Sequence, residues 1–259
     1  MRLASWNVNS LKVRLPQLLD WLAQHKPDVV CLQETKLEDE KFPEMELQAA
    51  GYGCAWSGQK TYNGVAILSR DAPAAVAAGI PDFADDQRRV IAATVGTGVE
   101  AIRIVCAYVP NGQAVGSAKY EYKLRWLSAF RDCLERELRQ TPRLAILGDY
   151  NVAPADEDVH DPDAWRGKVL CSDPEREAFK KLLNLGLKDA FRLFTQGKDS
   201  FTWWDYRTNG FKRGLGLRID HILLGSELAA TCRACAIDLQ PRRAERPSDH
   251  APIMAELEA

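Results

Sequence analysis

The sequence predicts a mixed α/β protein in which sheets pack face to face and helices lie outside. Three observations predict it. Short β-branched or apolar runs recur along the whole length, at 3–8, 28–33, 64–69, 90–95, 102–109, 144–147, 219–224 and 251–257. Helical periodicity falls between some of them. Between 53 and 109 the runs follow one another with only short loops, as antiparallel meanders do.

Each helix has its own justification. Leu15, Leu18, Leu19 and Leu22 stand at i, i+3, i+4 and i+7, one apolar face of a helix. Leu127, Phe130, Leu134 and Leu138 repeat the pattern in a longer helix within 118–140, which Pro142 ends. A third helix is predicted over 174–184, with Pro174 in its first turn. No internal repeat, low-complexity tract or linker interrupts the chain, so one domain over 1–259 is expected.

Composition narrows the function classes. Hydrophobic residues at 46% and charged residues at 27% argue against disorder. The longest apolar run, Ile104 to Val109, is six residues, far short of the roughly 20 a membrane span needs. The first residues, Met-Arg-Leu-Ala-Ser-Trp-Asn, lack the apolar core of a secretory signal. The net charge of −2 weighs against a purely electrostatic nucleic-acid binder and leaves room for an enzyme rich in working carboxylates. Seven cysteines form no disulfide framework, and Cys232-x-x-Cys235 has no second pair to complete a zinc site. Cys31 and Cys106, inside apolar runs, read as buried small hydrophobes. The expected compartment is a reducing cytoplasm.

Polar residues cluster where apolar runs end, and there side chains leave a sheet. Asn7 follows Ser5-Trp6, Glu34 follows Val29 to Gln33, and Tyr108 ends a run begun at Ile104. Asp149 and Asn151 follow Ala145 to Gly148, and Asp249 and His250 precede the last run. Any one of these suits a turn. Asp220 does not, because it sits beside Ile219 and Ile222, where an ionised carboxylate needs a partner. Its neighbour His221 would point to the opposite face of a strand, so distant His250 is the better candidate.

Together these residues form a kit for metal-assisted hydrolysis of a phosphoester. Glu34 and Asn7 offer hard oxygen ligands suited to Mg²⁺ or Mn²⁺. Asp149 with Asn151 can orient and deprotonate a water. An Asp–His pair can hold an imidazolium against a phosphoryl oxygen, and a tyrosine, by a lowered pKa or simply its hydroxyl, can do the same. Gly-x-Ser-x-Gly, P-loop and Gly-x-Gly-x-x-Gly motifs are all missing, which removes the usual support for serine hydrolysis and nucleotide-cofactor chemistry.

Six segments then appear in a telling order: Trp6–Leu11, Leu32–Lys36, Tyr108–Gly112, Leu147–Asn151, Gly216–His221 and Ser248–Pro252. They resemble the exonuclease III family of abasic-site endonucleases, within the endonuclease/exonuclease/phosphatase superfamily. The resemblance implies a four-layer α/β sandwich, two central mixed sheets flanked by helices. It implies that Glu34 is the principal metal ligand, supported by Asn7 and Asp249. It gives Asp149 and Asn151 the attacking water, pairs Asp220 with His250, and puts His250, Tyr108 and Asn111 against the scissile phosphate. Trp203, Leu217 and Ile219 match positions around a base-less sugar, although plain core packing explains Trp203-Trp204 equally well. Tyr150 stands where phenylalanine is common and should be tolerated with its hydroxyl at an edge. The 161–168 loop lies where family members can roof the site.

Basic residues supply the DNA signal. Arg207, Lys212, Arg213 and Arg218 lie in 207–218 with no acid among them, and Arg242, Arg243 and Arg246 follow later. They read as phosphate contacts flanking the site, with Lys212, Arg213 and Arg218 as substrate-binding residues. The expected activity is Mg²⁺-dependent cleavage 5′ to abasic sites and trimming of blocked or normal 3′ ends, with Mn²⁺ as a substitute. The expected partner is damaged double-stranded DNA, met by a monomer away from membranes. Three alternatives remain open: a lipid or inositol-phosphate phosphatase of the same superfamily, a 3′-end specialist, and a non-enzymatic DNA-binding relative.

Overall fold

The computed structural model describes residues 1–258. The first half runs β1 (Arg2–Asn7), helix Leu11–His25, β2 (Val29–Gln33), β3 (Gly53–Ser57), β4 (Val65–Ser69), β5 (Ala74–Ala78), β6 (Val90–Val95) and β7 (Ile102–Tyr108). Helix Ala118–Gln140 leads to β8 (Leu144–Asp149), and helix Asp173–Leu183 to β9 (Lys188–Asp189). The rest holds β10 (Trp203–Trp204), helix Gly210–Arg213, β11 (Gly216–Leu217), β12 (Asp220–Leu224), β13 (Cys232–Ile237) and β14 (Ile253–Leu257).

The strands form two six-stranded sheets, ordered β13-β14-β1-β2-β4-β3 and β5-β6-β7-β8-β12-β9, with β10-β11 as a small ribbon. Both large sheets are mixed. β1 runs parallel to β2 and β7 parallel to β8, while the remaining pairs are antiparallel. Leu3, Val29, Ile67, Ile104, Leu147, Ile222 and Ile253 meet between the sheets in one core. A second core packs Trp126, Leu127, Phe130 and Phe179 against the β6–β8 face. A third packs Leu18, Trp21 and Leu22 against β1, β2 and β4. Three cores between four layers make the α/β sandwich. Burying each such side chain contributes about 1.5–3 kcal/mol.

The topology explains where the site can be. In each sheet the parallel pairs end together. Asn7 at the end of β1 pairs in register with Gln33 at the end of β2. Tyr108 at the end of β7 pairs with Asp149 at the end of β8. β12 runs antiparallel to β8, so its first residue, Asp220, lies opposite Asp149. Ser5 of β1 pairs with Ile253, which brings the segment before β14 to the same end. Gly148 makes this convergence possible: a Cβ there would lie 1.9 Å from the Ala107 carbonyl oxygen.

Among the described residues no helix is long and apolar enough to cross a membrane. Several elements depart from expectation. β5 is an exposed edge strand of small residues, and β13 carries exposed Arg233 between its cysteines. Cys232 and Cys235 are buried free thiols in the central core. Tyr150 is wholly buried against Phe179 and His221, and its hydroxyl has no hydrogen-bond partner rather than an edge to reach.

Candidate active site

The strand ends place an acidic cluster in the gap between the sheets. Asn7 donates through Nδ2 to Glu34 Oε1 and to Asp149 Oδ2, each at 2.9 Å. One amide thus joins the two sheets. Asn151 donates from its backbone to Asp149 Oδ1 at 2.9 Å and from Nδ2 to the Val109 carbonyl at 3.0 Å. Asn111 donates to Asn151 Oδ1 at 3.1 Å. Glu34 and Asn151 both adopt left-handed backbone, at φ 52° and 49°, which aims their side chains back across the strand ends.

His250 donates from Nδ1 to Asp220 Oδ2 at 2.9 Å, and its Nε2 lies 3.7 Å from Asp149 Oδ2. The pairing expected from Asp220's apolar surroundings is therefore present. The second oxygen, Asp220 Oδ1, is buried without a hydrogen-bond partner. Ser248 ties the segment down, donating to the Asn7 carbonyl at 2.6 Å and accepting from the His250 amide at 3.2 Å.

Electrostatics follow from crowding carboxylates under cover. Burial pushes Asp149 up to about 7, with Asp220 adding to it and His250 opposing. Burial disfavours charge on His250 too, but Asp220 and Asp149 outweigh it and push the imidazole up to about 10. Glu34 goes the other way: burial raises it, yet Lys36 Nζ at 2.7 Å and the Asn7 amide hold it below the usual range. Burial drives the Tyr108 hydroxyl well above its ordinary value, and Glu34 and Asp149 add to the rise. Tyr108 therefore stays a neutral hydroxyl, against the expectation of a lowered pKa.

The cluster suits a hard cation. Ligand-capable atoms of Glu34, Asp149 and His250 lie within 4.8 Å of one another. Its donors are oxygen-rich, and three carboxyl groups, Glu34, Asp149 and Asp220, stand against the two nearby cations Lys36 and His250. Two residues expected as ligands stand differently. Asn7 turns its NH₂ toward the carboxylates and its oxygen toward the Asn9 amide at 3.0 Å, so it bridges them as a donor. Asp249 spends one oxygen on Asn9 Nδ2 at 2.9 Å and the other on Trp203 Nε1 at 3.0 Å.

Arg218 corrects the reading of the basic run. It is buried, pairs with Asp158 at 2.6 Å and Asp189 at 2.8 Å, and lies 2.9 Å from His221 Nδ1. A guanidinium so enclosed is a scaffold cross-link and cannot meet a DNA phosphate. Arg242 is likewise buried, under the rings of Trp204, Tyr206 and Phe211, and donates to the Ser248 carbonyl. Lys212, Arg213, Arg243 and Arg246 are exposed, as a phosphate contact requires.

Leu217 and Ile219 pack with Val159, Leu170 and half-buried Trp203. Both are covered, at 0% and 1% exposure, so no open sugar pocket faces them here. The 161–168 loop contains the short helix Pro162–Trp165, capped by Asp161, and its Trp165 leans on this same cluster. Sequence reasoning missed Arg89. Its guanidinium stacks 4.7 Å from the Tyr108 ring and lines a groove of about 740 Å³ with Tyr62, Asn111, Lys119 and Arg207. It immediately precedes β6, and only the strand pairing brings it opposite Tyr108, whose amide donates to its carbonyl at 2.8 Å.

Comparisons with known proteins identify the family. Residues 4–250 match the Endonuclease/Exonuclease/phosphatase family. The chain is 37% identical to exodeoxyribonuclease III of Haemophilus influenzae, over 99% of this chain and 100% of that one. Among solved structures it superposes on a 3′ phosphatase from Neisseria bound to a product DNA hairpin, at TM-score 0.97 and 48% identity, covering 100% of both chains. It also superposes on an AP endonuclease from Archaeoglobus fulgidus, at TM-score 0.94 and 40% identity, again covering 100% of both. The chain belongs to the endonuclease/exonuclease/phosphatase family, on its exonuclease III branch.

Proposed function

We propose that this protein is a Mg²⁺-dependent DNA repair phosphodiesterase acting on abasic sites and on blocked or normal 3′ ends. The observation that carries the reading is the largely covered cluster of Glu34, Asp149 and Asp220 around one imidazole, with a groove bearing Arg89, Lys119 and Arg207 reaching Asn111 beside it. Glu34 would hold the ion, facing the Asp149 carboxylate. The bound cation would supply positive charge that neutralises the phosphoryl oxygens as charge builds there. Asp149, fixed by Asn7 and Asn151, orients the attacking water and takes its proton. The water oxygen bonds to phosphorus as the bond to the 3′ oxygen breaks, and the leaving oxygen takes up a proton. The His250 imidazolium, held by Asp220, and the neutral Tyr108 hydroxyl offer hydrogen bonds to the phosphoryl oxygens, and Asn111 adds a third. The protein acts as a monomer.

A narrower reading, a 3′-end specialist, is supported by the covered surfaces of Leu217 and Ile219 and by the similarity to the Neisseria 3′ phosphatase. One assay separates them: abasic, 3′-phosphate and intact 3′-end duplexes side by side with Mg²⁺ or Mn²⁺. Cleavage of the abasic duplex supports the broad reading, and turnover of 3′ ends alone supports the narrow one. Hydrolysis of phosphoinositides with no action on DNA would overturn both. Glu34→Ala should remain folded and lose about 10²–10⁴ in rate. Wild-type turnover in that variant would remove Glu34 from the metal site.

A further inference from the structure

Helix Ala118–Gln140 buries a lysine directly behind the site. Lys123 is 0% exposed, as is the carboxylate it pairs with, Glu175. Ionised lysines are almost never buried so completely, because desolvation costs several kcal/mol. An apolar side chain would fill the volume at less cost, so the helix face alone does not account for an ammonium here.

Its hydrogen bonds do. A lysine ammonium has three N–H donors, and all three are assigned. One goes to Glu175, one to the Asn151 carbonyl at 2.6 Å, and one to the Asn111 carbonyl at 3.2 Å. These two asparagines belong to different loops, after β7 and after β8, and their side chains hydrogen-bond each other at 3.1 Å. Asn151 is also held in left-handed backbone at φ 49°. Glu175 is in turn braced by the Leu170 amide at 3.0 Å and the Ser172 amide at 3.1 Å. Tyr120 closes the shell through Ser172 at 2.6 Å.

The geometry points to Lys123 as a positioning residue that locks the Asn111 and Asn151 loops into one rigid pair. The inference rests on the proposed roles of those asparagines toward phosphate and water. Both carbonyls are taken up by the buried ammonium, so Lys123 acts only through the side chains it aims. Displacing a catalytic group by about 1 Å can cost about 10²-fold in rate without weakening binding.

The test measures single-turnover cleavage of a saturating 3′-phosphate or abasic duplex with Mg²⁺, beside metal-free affinity for the same duplex. Lys123→Met combined with Glu175→Gln avoids stranding a buried carboxylate. Its cleavage rate should fall about 10- to 100-fold, with affinity within about threefold of wild type. Tyr120→Phe loosens the same shell without touching the clamp and should keep the wild-type rate. A folded Lys123→Met, Glu175→Gln protein with the wild-type rate overturns the inference. So does an equal loss in Tyr120→Phe, which would mean general loosening. Should the paired variant not fold, Lys123→Arg decides. Its planar fork should slow cleavage in the native background and cost less than that once Asn151→Ala is present, because only the Asn111 side chain is then left to aim. No penalty, or a penalty that multiplies, overturns the assignment. Wild-type protein that cuts neither duplex, while Glu34→Ala behaves identically, overturns the functional reading and this inference with it.

Discussion

Two charge clusters, centred on Arg218 and Asp220, meet where the chain enters β12, and they are built on opposite rules. Around Arg218 every charge is answered: Asp158 and Asp189 accept its guanidinium, Arg192 adds a second cation to Asp158, and His221 donates to or accepts from fixed partners. Around Asp220 the charges do not close. Three carboxylates face one imidazole and one lysine, and Asp220 Oδ1 has no partner at all. The closed cluster holds the Asp158, Asp189 and Arg218 segments together. The open one has surplus negative charge for something outside the chain. Burial and polarity alone do not distinguish scaffold from site; the balance of partners does.

The largest test of that contrast concerns Asp220 and His250. If the open cluster works as a unit, Asp220→Asn and His250→Ala should each lose more than about 10² in cleavage rate. The double variant should fall well short of the product of the two losses, because groups acting together are strongly non-additive. A clean product, with both variants folded, would split the pair. pH provides a second view. Asp149, raised to about 7, and His250, raised to about 10 from 6.5, both drain stability from the metal-free protein as pH rises. The imidazolium's stabilisation is complete below its unfolded value and is lost as pH climbs through about 10. Above about 7 the slope belongs to His250, so urea midpoints should fall across that window; in His250→Ala any fall that remains belongs to Asp149, which has lost the cation opposing its rise.

Next comes the closed cluster. Arg218→Met leaves Asp158 and Asp189 short of a buried partner and should destabilise the fold by about 3–5 kcal/mol. Binding of intact DNA by the surviving folded protein should be unchanged, as read by a salt titration. A loss of affinity with wild-type melting would return Arg218 to the DNA-facing surface. Lys212 and Arg213 should behave in the reverse way. Replacing both with alanine should leave melting alone and flatten the slope of log affinity against log salt by about two units, on any sequence. The smallest effect concerns Tyr150, whose buried hydroxyl answers nothing. Tyr150→Phe should raise stability by about 1 kcal/mol with cleavage unchanged; a loss would reveal a partner for that hydroxyl.

Much of this was readable in the chain, for physical reasons. Strands with buried faces, such as β2 and β7, declare themselves by apolar runs. β5 does not, because an exposed row of small residues at a sheet edge carries no such pattern. Asp220 was readable because a carboxylate between isoleucines demands a counter-charge, and His250 met it across 30 residues. Arg218 was misread because it shares a basic run with Lys212 and Arg213. Its partner Asp158 lies 60 residues upstream, and only the fold brings it close. Lys123 gave no signal, since one lysine in an amphipathic helix looks like any solvated one. Its meaning comes from two carbonyls contributed by other loops.

The left-handed backbone at Glu34 has a consequence for how this protein would drift in the laboratory. A glutamate at φ 52° is strained, and it is kept there by Lys36 at 2.7 Å and the Asn7 amide at 2.9 Å. Glycine at that position would relax the backbone. A library sorted only for heat resistance should therefore discard Glu34 among its first exchanges, and a library sorted for cleavage should refuse that same exchange. The two selections pull apart at a single residue, and the distance between their outcomes measures how much stability the fold gives up to keep the site.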